Sequence, residues 1–403
     1  MRNEENWLIA VTAGKWQKHG IHEARVAGLK VLALDADPNA EGFMEADQIL
    51  NMDLSDHEAI IQRIKGLGKN IRGAVSIVSE AGMMLAARLR EEFSLPGPHT
   101  DLVLRLLDKA VQRQIWTEKG VPGPRWQLFR QAEDVLAALP VFGFPLILKP
   151  ADSSGSRGVT KLESSEDDLS GAVGRAFQFS KSGKVLMESY MDGTEFTVEV
   201  FAEDGNVHVL AVTEKKKVEG TRGTVACELA TPDRPADVVA RIAETVVAAY
   251  SALGYVDGPG HAEAILMKDG SVGIVEVAGR GGGFVVFDGL VPAVRGVNIA
   301  RLTALQAVGK KVSAVAKYKK AAVLRFFPSR PGVLRKISGF EAANLLEGVE
   351  ADAFAKVGDR FHQATVDGDR LGYILSHAST PPLARALADS AESLIRFDIE
   401  AYP

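Results

Sequence analysis

Residues His261–Gly283 read HAEAILMKDGSVGIVEVAGRGGG, and the fold turns on this stretch. Asp269-Gly270 is the strongest short-range signal for a two-residue hairpin turn, with alternating or apolar runs on both sides. With those two residues at the centre of the turn, Lys268 pairs with Ser271. Counting outward, Glu263 then falls directly opposite Glu276. Like charges opposed on one face of a strand pair repel and destabilise it. Such a pair persists where something positive sits between the carboxylates. The natural occupant is a divalent ion with oxygen ligands, Mg²⁺ shared with a phosphate. Arg280 follows four residues after Glu276, and three glycines then let the backbone pass close to a ligand. The plain alternative is a hairpin with splayed surface glutamates, but Val272 to Ala278 is too apolar for a solvated edge.

At 403 residues the chain is too long for one ordinary core, so two or three domains are expected. An apolar content of 46% and a charged content of 25% are those of a globular chain with a watery surface. The net charge of −5 gives no reason to expect nucleic acid or an anionic membrane as partner. A single cysteine, Cys227, excludes an internal disulfide and a cysteine metal cluster, which fits a reducing compartment. No apolar run approaches the roughly 20 residues of a membrane helix. The start, MRNEENW, is polar and acidic, unlike a secretory signal. A cytoplasmic location is expected.

Residues 7 to 100 alternate strands and helices: strands at Leu8–Val11, Val31–Leu34 and Ala74–Val78, helices through about Ala27 and over Gly82–Arg90. This alternation predicts a parallel sheet with helices on its faces. Asp35 ends the second strand where a ribose-binding acid of a dinucleotide site would sit. The required G-x-G-x-x-G is missing, because the first turn is TAGKWQKHG. Glu80 also lies at a strand end, either facing a ligand or as a carboxylate near a helix N-terminus. Residues 101 to 120 form one long helical pattern containing Asp108-Lys109.

After VPGP comes VFGFPLILKP, an apolar strand closed by Lys149, and a lysine there needs an anionic partner or water. Asp152 to Val159, DSSGSRGV, is no Walker loop, since it lacks G-x-x-x-x-G-K-[ST] and a strand follows. It is either a lid folding over phosphates or a plain solvent loop. In VLMESYMDGTEFTVEVF, Glu188 closes a strand. Glu195, Thr197 and Glu199 then alternate with Phe196, Val198 and Val200, so the two sets lie on opposite faces. The run Lys215-Lys216-Lys217, beyond a turn at Asp204-Gly205, is a solvated charge cluster or faces a polyphosphate.

The order of these motifs resembles the ATP-grasp superfamily of carboxylate–amine (or –thiol) ligases. They are DK, a strand ending KP, a Gly/Ser loop, M-E-x-Y-x-x-G-x-E, and H-x-E with E-V-x-x-R. The stretch from RFFPSRPGVLRKISGFEAANLLEGV to SLIRFDI is similar to the terminal domain of the L-amino acid ligases, which make dipeptides. The resemblance implies a mixed α/β and α+β chain. An open parallel α/β (Rossmann-like) domain over 1–100 would precede an ATP-grasp fold over 101–312, with a lid-bearing part at about 121–187. A small C-terminal α+β domain over 313–403 would complete it. By match, Lys109 and Lys149 would hold ATP phosphates, under a loop from Ser153 through Ser154, Gly155 and Ser156 to Gly158. Glu188, Ser189, Tyr190 and Met191 would line adenine, partly through backbone, and Glu195 would meet the ribose. Glu263 and Glu276 would hold Mg²⁺, with Mn²⁺ as a substitute, and Arg280 would neutralise the transferred phosphoryl group. The family usually carries Asn two residues after the second metal glutamate, where this chain has Ala278.

The implied reaction joins a small carboxylate to an amine, with amino acids as the expected substrates. ATP turns the carboxylate into an acyl phosphate that the amine attacks. Alternatives are biotin carboxylation, a nucleotide-binding protein without chemistry, and an NAD-linked oxidoreductase. Arg295, Arg325 and Arg330 are either substrate-carboxylate ligands or structural ion pairs. His261 is either near the acceptor or simply packed. A homodimer is expected on base rates only.

Overall fold

Trp7–Val11 is buried at every position, so both faces of this strand must be covered. It is the third strand of a parallel sheet ordered Gln48–Asn51, Lys30–Asp35, Trp7–Val11, Ile71–Val75. Helices Lys18–Val26, His57–Lys65 and Met83–Glu92 lie between and after these strands. The computed structural model describes residues 5–218 and 225–402. No helix among them is long and apolar enough to cross a membrane.

The last strand of this sheet begins and ends earlier than expected. It stops at Val75 because the carbonyl of Ile77 accepts from the Gly281 amide (3.1 Å) rather than from a neighbouring strand. Asp35 does not face a ribose site. Its two oxygens accept from the amides of Ala13 (2.7 Å) and Asp37 (2.9 Å), closing the turns on either side.

The expected single helix over 101–120 is two, Thr100–Leu107 and Lys109–Lys119. Asp108 takes an extended conformation, and its carboxylate accepts from the Ala110 (2.9 Å) and Val111 (3.3 Å) amides. Aspartate gains more as a cap than inside a helix. The break sets Lys109 at the first turn of the second helix.

A four-stranded antiparallel sheet follows, ordered Trp126–Phe129, Val185–Ser189, Leu146–Pro150, Thr160–Leu162. Helices Ala132–Phe142 and Leu169–Gln178 bury Phe129, Val135, Leu139, Leu148 and Val173 against it. An eight-stranded sheet carries the rest. Its order is Val272–Ala278, Gly258–Met267, Gly193–Glu203, Asn206–Lys217, Ala226–Ala230, Ala321–Pro328, Arg370–Ala378, Val349–Ala353. Phe196, Val198 and Val200 point to one side of it, packed with Ile242, Val246 and Tyr250 of helix Ala236–Leu253. Glu195, Thr197 and Glu199 are therefore left on the other side, as their alternation predicts. The sheet continues through the boundary expected at 312/313 into strands of the C-terminal part, where helix Pro381–Leu394 packs.

The decisive hairpin keeps its expected pairing by an unexpected route. Its loop has three residues rather than two: the Met267 amide donates to Ser271 (2.8 Å), and Gly270 sits at φ +84°. A third loop residue in the left-handed region is the next commonest way to close a hairpin. It moves the register by one, giving Leu266↔Val272 and Ala264↔Ile274. A bulge that leaves out Val275 moves it back, and Glu263 lies opposite Glu276.

Candidate functional site

The two glutamates share one face of the ribbon, and the positive charge they require comes from lysines. Lys215 Nζ lies 2.5 Å from Glu263 Oε1, and Lys109 Nζ lies 3.0 Å from Glu276 Oε2. Burial raises the Glu276 carboxyl, but Lys109, with Lys149 and Arg280, outweighs it and holds it at about 2. Burial likewise lowers the Lys109 ammonium, and Glu276 with Glu80 more than reverses this. Lys109 also donates to the carbonyl of Ser153 (2.6 Å), so one side chain joins the acidic ribbon to the base of the Gly/Ser loop.

Lys215 is withdrawn from solvent, Lys217 is exposed but reaches the same carboxylate, and Lys216 turns to the opposite face. Lys215 and Lys217 hold the two oxygens of Glu195 at 2.6 and 2.5 Å. Burial raises the Glu195 carboxyl, and the two lysines overcome this and bring it to about 2. Lys216 meets Glu228 instead (3.3 Å). The lysine run is thus partly a solvated patch: Lys216 and Lys217 are exposed, and only Lys215 is enclosed, between Glu195 and Glu263.

Lys149 is 4% exposed, next to last in its strand, and lies 2.8 Å from Glu188. Burial pushes the Lys149 ammonium down, with Glu188 offsetting part of the effect. Glu188 is also held by Arg113, through Nε at 2.7 Å and Nη2 at 3.3 Å. Its carboxylate is spent inside the protein, so of the stretch Glu188–Met191 expected to line adenine only backbone groups and the neighbouring side chains remain available to a ligand. The chain there is fixed by Ser189 N to Arg125 O (2.8 Å) and Tyr190 N to Pro145 O (3.1 Å). Lys161 Nζ covers the Tyr190 ring at 3.7 Å.

The loop Ser153–Gly158 joins the antiparallel strands Leu146–Pro150 and Thr160–Leu162, with Lys109 at its base. Ser153 Oγ donates to Arg157 O (2.8 Å), and Gly155, Ser156 and Gly158 all have positive φ. A Cβ at Gly158 would lie 2.9 Å from both Phe179 Cβ and Pro150 Cγ, so a side chain has no room there.

Arg280 points back to the first domain, where Glu80 Oε1 receives Nη2 at 2.5 Å. Burial lowers its guanidinium, while Glu80 and then Glu276 raise it further than burial lowers it. The following glycines only partly serve a ligand. A Cβ at Gly281 would strike the Phe287 ring and one at Gly282 would meet Val286 and His261, whereas Gly283 faces open space. His261 pairs with the buried Glu199, which also accepts from Gly282 N (3.3 Å). Burial lowers the imidazolium and Glu199 overcomes it, so the ring is charged more readily than a free histidine.

The candidate substrate arginines are not gathered here. Arg295 donates to the Leu210 carbonyl (2.5 Å). Arg325 is tied to Glu228, Asp389 and Glu392, and Arg330 is exposed between strands Ala321–Pro328 and Gly332–Ser338.

The donor set suits a magnesium ion shared with a phosphate. Among the described residues the lysines occupy one oxygen of each glutamate, leaving Glu263 Oε2 and Glu276 Oε1, and the two side chains are 22% and 27% exposed. Among the described residues no group of three or more His, Cys, Asp or Glu could hold a metal unaided. Mg²⁺ commonly takes one or two carboxylates and completes its shell with phosphate oxygens and water. Ala278 adds no ligand; its carbonyl accepts from Tyr250 Oη (2.9 Å).

Two residues of this region escaped the reading of the sequence as site residues. Arg113 carries no motif, and its only signal is a place one helical turn after Lys109. Glu199 was visible in the alternating run, but its partner His261 is 62 residues away.

Residues 142–288 match the model of the ATP-grasp domain, and residues 325–400 match that of the L-amino acid ligase C-terminal domain 2. An uncharacterized protein of Sinorhizobium fredii is 26% identical over 95% of this chain and 80% of its own length. The L-arginine-specific L-amino acid ligase of Bacillus subtilis is 26% identical, over 51% of this chain and half of its own length. The crystal structure of an L-amino acid ligase from Bacillus licheniformis superposes with a TM-score of 0.84. That match is 23% identical and covers 99% of this chain and 100% of the other, which establishes the shared fold. Residues 142–288 are therefore similar to ATP-grasp domains and residues 325–400 to the L-amino acid ligase C-terminal domain, in a chain that shares the fold of an L-amino acid ligase.

Proposed function

We propose that the protein is an ATP-dependent ligase that joins a carboxylate to an amine, both from amino acids, releasing ADP and phosphate. The observation that carries this is the Glu263–Glu276 pair, each with one oxygen left over, flanked by Lys109, Lys149 and Arg280. A carboxylate does not condense with an amine at neutral pH without activation. In the first step a substrate carboxylate oxygen bonds to the γ-phosphorus while the bond to the β-phosphate oxygen breaks, giving acyl phosphate and ADP. In the second the amine nitrogen bonds to the acyl carbon, phosphate leaves, and the amine proton goes to the departing phosphate. Phosphoryl transfer needs alignment and charge neutralisation more than a protein nucleophile. Mg²⁺ would neutralise phosphate charge between Glu263 and Glu276. Lys109 and Lys149 would hold the phosphates, Arg280 would meet the transferred group, and the Ser153–Gly158 loop would exclude water from the acyl phosphate. The expected divisions at about 100 and 312 would separate a substrate-side domain, the nucleotide clamp and the terminal domain. The C-terminal match favours amino-acid substrates over carboxylation of biotin.

A phosphate-release screen against pairs of amino acids, with products weighed by mass spectrometry, tests this directly. Phosphate and a dipeptide mass should appear together and only with ATP and Mg²⁺. Mg-ATP binding with no turnover on any pair of amino acids or other small carboxylates and amines would overturn it in favour of a nucleotide-binding role.

A further inference from the structure

Arg113 is 2% exposed and touches both the four-stranded and the eight-stranded sheet. Towards the four-stranded sheet it grips both oxygens of Glu188, and Glu188 in turn holds Lys149. Towards the eight-stranded sheet its Nη2 donates to the Val275 carbonyl at 2.6 Å. Val275 is the residue that the bulge leaves out of the pairing register, on the outermost strand of that sheet, and its carbonyl is the one that accepts from Arg113. The neighbouring Gln112 binds Val277 in the same way, through its carbonyl at 2.9 Å and its amide at 3.4 Å. Nη1 of Arg113 is buried with no partner among the described residues. Burying a guanidinium with one arm unpaired is costly, and an apolar side chain would fill the space more cheaply. The cost is understandable if the residue connects things that must keep a fixed separation.

Granted the nucleotide site proposed above, we infer that Arg113 is its positioning residue. By holding the Val275 bulge and the Glu188–Lys149 pair at once, it fixes where Glu276 lies relative to Lys149. Without the bulge, Glu276 would lose its place opposite Glu263. Without the Glu188 contact, Lys149 would follow the lid-bearing sheet alone. Arg113 itself touches no phosphate. Lysine cannot replace it, because a single ammonium on a flexible stem lacks the planar fork that reaches both sheets.

The test compares the parent chain with Arg113→Lys, Glu188→Gln and the double variant. Calorimetry measures ADP affinity with and without Mg²⁺, and hydrogen exchange follows the amides of 275–277. Arg113→Lys should bind Mg-ADP about tenfold or more weakly, lose most of the gain that Mg²⁺ gives, and exchange faster at those amides. The double variant should be little worse than either single one, since both cut the same link. If Arg113→Lys does not fold, Glu188→Gln carries the same expectation for Mg-ADP from the other end. Variants that melt earlier yet bind Mg-ADP like the parent would make the role merely structural and overturn the inference. A parent chain that binds no Mg-ADP would instead sink the nucleotide site itself, and the inference with it.

Discussion

Glu80, in the loop after the last strand of the N-terminal sheet, receives the Arg280 guanidinium at 2.5 Å across 200 residues of chain. The N-terminal domain thus reaches the group proposed to meet the transferred phosphoryl. Glu80→Gln keeps the size and loses the charge that aims Arg280. Turnover should fall about tenfold with ADP affinity nearly unchanged, because the loss falls on the transition state. Steady-state kinetics beside calorimetry would show it, and parental turnover would remove Glu80 from the site.

Glu276→Gln tests the metal role more cleanly than Glu276→Ala, which would leave Lys109 buried beside a void. The glutamine still accepts from Lys109 but gives up the negative charge a divalent ion needs. ATP turnover should fall by two orders of magnitude or more, roughly the loss expected for a major charge-stabilising group. Circular dichroism should match the parent. Near-normal turnover across a Mg²⁺ titration would rule the carboxylate out as a metal ligand.

The hairpin shows how much of this was legible in the sequence. Asp-Gly marked the turn and the alternation marked the strands, so the Glu263–Glu276 pairing could be counted out. The pairing nevertheless depends on a longer loop and a bulge that cancel each other. The apolar flanks do not reveal a bulge, because Val275 takes part in no motif and its stabilising partner is on a distant helix. Lys149 and Glu188 were legible as charged ends of apolar strands. That each neutralises the other was not, since strand pairing brings them together only in three dimensions. Asp108 was read as helix interior, although its capping chemistry lay in plain view.

Lys149→Ala should weaken nucleotide binding about tenfold and also lower the melting temperature. The thermal loss follows because Glu188 is left buried with Arg113 alone. The two effects separate on adding Mg-ADP: the parent should be stabilised by ligand and the variant much less. Equal stabilisation would take Lys149 away from the phosphates.

Replacing Ser153–Gly158 by a short glycine link removes the proposed lid and the Ser153 residue whose carbonyl receives Lys109. An acyl phosphate open to water is hydrolysed. ATP consumption should persist while the ratio of product to ADP falls several-fold. An unchanged ratio would count against the loop as a lid.

Acid sensitivity follows from Glu195 and Glu276, both held at about 2 in the folded chain by lysines that outweigh their burial. An unfolded glutamate titrates at about 4.3. Because the folded values are depressed, the two pairs contribute full stability above that value and lose it as pH falls towards 2. The melting temperature should therefore drop steeply through this window. Glu195→Gln has no such proton to take up, so its curve should be flatter there and lower at neutral pH, where Lys215 and Lys217 have lost a partner. Thermal melts at half-unit steps from pH 6 to pH 2.5 would separate the curves. Parallel curves for parent and variant would mean that the lysines do not hold Glu195 as the structure has it.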